Sequence, residues 1–145
     1  MATQNLKPTV TIRTAQASDV ERLIAFITPF VEDGTLLPRT FDELDEWLPN
    51  CFVAQTEHGE IVGCAALEIY SRKLAEIRSL AVSPTVQGMG IGKALVQACL
   101  DLAREKGVYE IMTITSAEAF FIACGFDYTL PNLKKALFIQ TREDY

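Results

Sequence analysis

A chain of 145 residues suits one domain with a real core, and its composition, 49% hydrophobic and 22% charged, excludes a disordered or fibrous protein. A formal net charge of -6 argues against a nucleic-acid partner. No apolar run reaches bilayer length and the start lacks a secretory pattern, so the expectation is a cytoplasmic protein with no membrane role.

Residues 1–8 are polar and read as a flexible tail, leaving 9–145 as a single domain. Residues 10–13 alternate as a short strand. Ser18 stands where an N-cap would begin a helix, with Val20, Leu23, Ile24 and Ile27 at helical spacing to about Phe30. Asp33-Gly34 ends it, and Leu36-Leu37-Pro38-Arg39 leads to a second short helix through Trp47. Thr40 and Glu43 form its capping box. Residues 51–55 and 61–70 read as a hairpin around Glu57-His58-Gly59-Glu60, and 73–82 as a further strand. A long helix follows over 91–106, with Leu95, Leu102 and Ala103 on its apolar face and Gly107 as its stop. Residues 110–115 read as a strand, 118–124 as a short helix stopped by Gly125, and 136–139 as a last strand. Strands and helices in this order give an α/β or α+β architecture.

Cys51, Cys64, Cys99 and Cys124 lack metal-ligand spacing and sit in apolar surroundings, so they read as reduced core thiols. No metal is expected. The lone histidine, His58, lies in a turn.

The chemistry concentrates where Leu80-Ala81-Val82-Ser83-Pro84 runs into Gln87-Gly88-Met89-Gly90-Ile91-Gly92-Lys93. Glycines admit unusual backbone angles and close approach, and the N-terminus of the following helix offers free N–H groups to an anion. A nucleoside-triphosphate loop would need Ser or Thr after Gly92-Lys93, but Ala94 stands there. A dinucleotide fingerprint would follow the first strand of a βαβ unit, and these glycines come late. The pattern Gln-x-x-Gly-x-Gly at Gln87, Gly90 and Gly92, after Leu-Ala-Val, resembles the acyl-coenzyme A pyrophosphate loop of the GNAT N-acetyltransferase superfamily. The element order over about 10–142 is similar too, as are residues 60–65 and 120–126.

That resemblance implies a mixed, mostly antiparallel sheet of six to seven strands flanked by about four helices, with acetyl-CoA as cosubstrate. Its pantetheine arm would lie along Leu80, Ala81 and Val82. Its pyrophosphate would rest on the N–H groups of Gly88, Met89, Gly90, Ile91, Gly92 and Lys93, with Gln87 where arginine is commoner. Glu76 occupies the general-base position of the histone-acetylating branch, and Glu68 is a second candidate. The alternative for Glu76 is a solvated carboxylate paired with Arg78 or Lys73. Phe121 stands where many members carry a tyrosine that protonates the leaving thiolate. Water or Tyr128 would then do so, unless the thiolate leaves unassisted, and Tyr128 is otherwise a half-buried packing residue.

A narrower resemblance rests on Leu36-Leu37-Pro38-Arg39-Thr40, Ala75-Glu76-Ile77-Arg78-Ser79-Leu80-Ala81-Val82, Phe120-Phe121 before Gly125-Phe126, and Leu130-Pro131 followed by Lys134. These look like the acetyltransferase domain of N-acetylglutamate synthases, which acetylate the α-amine of L-glutamate in arginine biosynthesis. The resemblance makes Arg39, Arg78 and Lys134 candidates to hold the glutamate carboxylates. By strand alternation Glu76, Arg78 and Leu80 would share one face. The plainer readings are a surface Arg39, an Arg78 paired with Glu76 or Glu68, and a solvated Lys134-Lys135 pair. The kinase-like module often fused to such domains does not occur in these residues, which leaves a separate kinase-like partner and a homodimer as expectations. Another small amine, a protein N-terminus, and a non-catalytic acyl-CoA-sensing module are the alternative functions.

Overall fold

One sheet carries five strands in the order β1-β2-β3-β4-β5: β1 (Val10–Thr14), β2 (Cys51–Thr56), β3 (Ile61–Ile69), β4 (Leu74–Val82) and β5 (Glu110–Met112). The computed structural model describes residues 7–128, 137–139 and 141. Neighbouring strands are antiparallel except β4 and β5, which run parallel. The helices are α1 (Val20–Glu32), α2 (Phe41–Trp47), α3 (Ile91–Glu105) and α4 (Glu118–Ala123). The backbone divides into two compact units, Met1–Ile114 and Thr115–Tyr145.

The strand number corrects the expectation of six to seven to five among the described residues. Leu137, Phe138 and Ile139 lie in no strand and are at least 77% exposed, while Ala136 falls outside the described residues. A short apolar run becomes a strand only where a neighbour takes up its backbone hydrogen bonds. None of the described helices is long and apolar enough to cross a membrane.

Helices cover both faces of the sheet in the first unit. On one face Val20, Leu23 and Ile27 of α1 and Leu44 of α2 share a buried cluster with Cys51, Val53, Cys64, Ala66 and Ala81. Leu95, Val96 and Cys99 of α3, each at most 1% exposed, belong to the other face. Burying such a side chain is worth about 1.5–3 kcal/mol, so these stripes hold the helices in place. Gly63 on β3 sits in a tight place: a Cβ there would meet Leu95 Cδ1 at 3.1 Å, Ala54 Cβ at 3.2 Å and the Ala81 carbonyl at 3.3 Å, and these neighbours would have to give by a few tenths of an ångström. Burial pushes the Cys51 and Cys99 thiols up to about 12 and the Cys64 thiol higher still, as expected for reduced core thiols.

The first helix does not begin at Ser18. A 3-10 turn over Ala17–Asp19 precedes α1, and the polar group that organises this end is Asp19. Arg13 on β1 grips it bidentately, Nη1 to Oδ2 at 2.7 Å and Nη2 to Oδ1 at 2.9 Å, while the Gln16 N–H donates to Oδ2 at 2.8 Å. Asp19 is 2% exposed, and the Arg13 hydrogen bonds, outweighing burial, hold its carboxyl down to about 2. Its pKa is below the unfolded value, so its stabilisation is complete above about pH 4 and disappears as pH falls through about 2. The shift corresponds to about 2 kcal/mol. Asp19→Asn should therefore unfold more readily than wild type at pH 7, with the difference closing between pH 4 and pH 2. Denaturant melts of both proteins across that range check this, and a pH-independent gap would contradict it.

In the second unit the Phe121 ring packs edge-on against Phe120 at 5.1 Å and Phe126 at 5.3 Å, and the Phe126 N–H donates to the Phe121 carbonyl at 3.0 Å. Gly125, with φ of 99°, supplies the left-handed step that ends α4.

Candidate active site

Residues 83–90 carry the chain from the end of β4 to the start of α3. The Ser83 hydroxyl accepts the Thr85 N–H at 3.3 Å to open a 3-10 turn, and Val86, 2% exposed, anchors that turn in the core. Gly90 is the N-cap of α3 in a left-handed conformation, φ 75° and ψ 16°, which a side chain would strain. No side chain caps this helix and no acidic residue stands in its first turn. The N–H groups of Ile91, Gly92 and Lys93 thus remain available beside the positive end of the helix dipole. Gln87, Gly88, Gly90 and Lys93 are exposed around this point. The donors this loop offers to an anion are backbone N–H groups.

β5 pairs with β4 only from Leu74 to Glu76. Thr113 then reaches the Ile77 carbonyl with its hydroxyl at 3.5 Å, and the rest of β4 has no strand on that side among the described residues. The Ser83 N–H bonds the Val62 carbonyl at 2.8 Å, so by alternation Val82 turns its own backbone polar groups toward the open edge. Among the described residues this leaves the Val82 end of the β4 edge unpaired, with backbone groups that an extended chain can take up.

The alternation along β4 is interrupted. Cys64 pairs with Ala81 but Ala66 pairs with Arg78, so Ser79 and Leu80 together oppose Ala65. This is a β-bulge, with Ser79 at φ of 54° and its carbonyl accepting the Cys64 thiol at 3.2 Å. A left-handed non-glycine residue costs about 1–3 kcal/mol and marks a backbone fixed by its surroundings. Leu80 therefore does not share a face with Glu76 and Arg78. Ala81 takes that place.

Glu76 is 7% exposed in the middle of β4, directly opposite Glu68 on β3. Facing carboxylates on adjacent strands repel, and each has its own partner here. Tyr70 donates its hydroxyl to Glu76 Oε1 at 2.5 Å, and Glu68 Oε2 lies 3.2 Å from the same hydroxyl. Arg78 Nη1 holds Glu68 Oε2 at 2.8 Å. Burial of the phenol and the neighbouring carboxylates of Glu76 and Glu68 push Tyr70 up to about 12, so it stays a donor at neutral pH. Burial works against the Arg78 cation, but the Glu68 hydrogen bond and the Glu76 charge outweigh it and raise its pKa.

Arg39 comes to this place from the loop before α2. Its side chain is 11% exposed, it pairs with Glu43 at 3.3 Å, and its Nε is buried without an acceptor. Glu43 also accepts the Thr40 N–H in the capping box and holds a lowered pKa, chiefly through that hydrogen bond. Both guanidinium groups approach the Trp47 ring, Arg39 Cζ at 4.8 Å and Arg78 Cζ at 5.9 Å from its centroid. Glu76, Glu68, Arg78 and Arg39 are thus brought into one chain of contacts. Tyr70 and Trp47 complete it, and the sequence patterns assign neither of them a functional role.

Lys134 lies outside the described residues. Tyr128 is 68% exposed, which corrects its reading as a half-buried packing residue, and the neighbouring Glu118 carboxylate raises its pKa. Among the described residues no group of three or more His, Cys, Asp or Glu is placed to hold a metal ion.

The profile of the acetyltransferase (GNAT) family matches residues 18–126. An uncharacterized N-acetyltransferase of Chlorobaculum tepidum is 33% identical over 115 residues, covering 79% of this chain and 74% of that protein. The amino-acid acetyltransferase of Mycobacterium tuberculosis is 32% identical over 117 residues, 79% of this chain and 67% of its own. Among solved structures, N-acetylglutamate synthase from Neisseria gonorrhoeae, complexed with coenzyme A and N-acetyl-glutamate, superposes with a TM-score of 0.71 at 31% identity. The match covers 79% of this chain and only 27% of that one.

Proposed function

Since the chain belongs to the acetyltransferase (GNAT) family, we propose that it moves the acetyl group of acetyl-CoA to the α-amine of an acidic amino acid, L-glutamate, in the manner of an N-acetylglutamate synthase. Acetyl-CoA is the cosubstrate, and N-acetyl transfer is the reaction class. The observation that carries the choice of acceptor is the convergence of Arg39 and Arg78 on Trp47 beside Glu76. Guanidinium forks suit carboxylates, and a cationic polyamine would be repelled by them.

In this reading the pyrophosphate rests on the backbone N–H groups of residues 88–93, with Gln87 as a neutral donor at its edge. The pantetheine arm follows Leu80, Ala81 and Val82 along the open side of β4. The neutral amine attacks the thioester carbonyl, a C–N bond forms, the C–S bond breaks with coenzyme A leaving as its thiolate, and the amine proton passes to Glu76 directly or through one water. Tyr70 occupies Glu76 Oε1, leaving Oε2 for that proton. Glu68 is tied to Arg78 and is the weaker candidate for the base. The buried thiols Cys51, Cys64 and Cys99 support a cytoplasmic location.

The test is thiol release from acetyl-CoA against glutamate, glutamine, aspartate, simple amines and a polyamine. Selective turnover of glutamate is the expected result. Turnover of an uncharged amine alone removes the carboxylate clamp, and coenzyme A binding without any turnover replaces the enzyme with a sensor.

A further inference from the structure

We propose that Trp47 is a specificity-determining residue of the acceptor site, positioning Arg39 and Arg78 as a pair so that both engage one dicarboxylate amine. The inference rests on the acidic-acceptor reading above and names the part of the site that enforces it. Arg39 arrives from the loop before α2 and Arg78 from the middle of β4, with no sequence relation to fix their spacing. Trp47, the last residue of α2, is the ring that both approach. Their distances to its centroid, 4.8 and 5.9 Å, hold the guanidinium carbons within about 11 Å of each other.

Two cations that close repel, and the local structure answers on two sides. Glu43 takes an edge of Arg39 and Glu68 an edge of Arg78, each through a single Nη1 contact. The electron-rich indole attracts both groups, and attraction of this kind grows as water is excluded. Each arginine keeps further N–H donors for a ligand, and Arg39 Nε is buried with none of its bonding satisfied. Without the ring, two long side chains would regain rotamer freedom that binding must remove again. Trp47 thus acts before the substrate arrives, by pre-arranging the cations.

The experiment compares wild type with Trp47→Leu and Trp47→Phe, measuring KM for glutamate, KM for acetyl-CoA, kcat and melting temperature. Loss of two ring contacts predicts a rise of about tenfold in the glutamate KM of Trp47→Leu, and the smaller ring of Trp47→Phe a rise of about threefold. Acetyl-CoA KM should stay within about twofold, so the loss falls on the acceptor. The double variant Arg39→Ala/Trp47→Leu should lose less than the product of the two single effects, because Trp47 acts through Arg39. An unchanged glutamate KM in a folded Trp47→Leu protein overturns the proposal, as does a loss spread equally over both substrates and kcat. If Trp47→Leu does not fold, Trp47→Phe carries the test: a raised acceptor KM supports the proposal and an unmoved one overturns it. If wild type uses another acidic amine, only the glutamate reading falls, and KM for that amine decides Trp47. If it uses uncharged amines alone, both fall.

Discussion

Glu76→Gln should lower kcat at neutral pH by about 10²–10⁴-fold, the usual worth of a positioned general base. The substitution is nearly isosteric, and the amide oxygen still accepts the Tyr70 hydroxyl, so the effect reports proton transfer rather than packing. Glu76 is held on three counts: its place on β4, its near-complete burial, and the 2.5 Å bond from Tyr70 to Oε1. A carboxylate fixed in this way gives a second oxygen a defined direction, which is what a base needs before its strength matters. Acetyl-CoA KM should change little, since the loop at residues 87–93 is elsewhere on the chain. The measurement is kcat/KM for the acceptor against pH in both proteins. An unchanged profile in the variant removes Glu76 as the base. A deeper loss in Glu68→Gln than in Glu76→Gln would transfer the role across the strand pair.

Local signals in the sequence read true because they are satisfied locally. The Thr40–Glu43 capping box forms as written, with the Glu43 N–H donating to the Thr40 hydroxyl at 3.2 Å, and Gly90 takes the left-handed turn that opens α3. What escaped depends on contacts between elements, which the pattern of no single element contains. Ser18 does not cap α1: it lies inside the 3-10 turn Ala17–Asp19, whose Asp19 is held by Arg13 of β1. The bulge at Ser79 and Leu80 is a property of pairing between β3 and β4, and no single-strand alternation contains it, yet it carries Leu80 to the face opposite Glu76 and Arg78. Tyr70 meets Glu76, six residues further along the chain, across the turn between β3 and β4, and its hydroxyl has no periodic signature. Trp47 could have been suspected as the only tryptophan, on the helix that follows the Arg39 loop. Its role appears only when α2 packs against the sheet and Arg78 comes near.

The second large effect concerns the acceptor. Arg39→Ala should raise the KM for glutamate by about 10–150-fold, the range of a lost charged hydrogen bond at 1.5–3 kcal/mol, while leaving acetyl-CoA KM within about twofold. Its Glu43 partner is 44% exposed and loses little when left alone, so the penalty belongs to the substrate carboxylate. Arg78→Ala should raise the same KM comparably but also lower kcat. Removing this cation leaves Glu68 and Glu76 facing each other across β3 and β4 with only Tyr70 between them, which disturbs the base as well as the clamp. Lysine at position 78 should restore part of kcat by returning the charge, yet little of the glutamate KM, because an ammonium cannot reproduce a two-pronged fork. The contrast between the two arginines is the informative quantity. Arg39 acts on binding alone, and Arg78 acts on binding and chemistry together. An uncharged amine used as acceptor supplies the control, since its KM should ignore Arg39. Equal losses for acidic and uncharged acceptors in both variants would mean that these guanidinium groups hold the fold of the site and do not read the substrate.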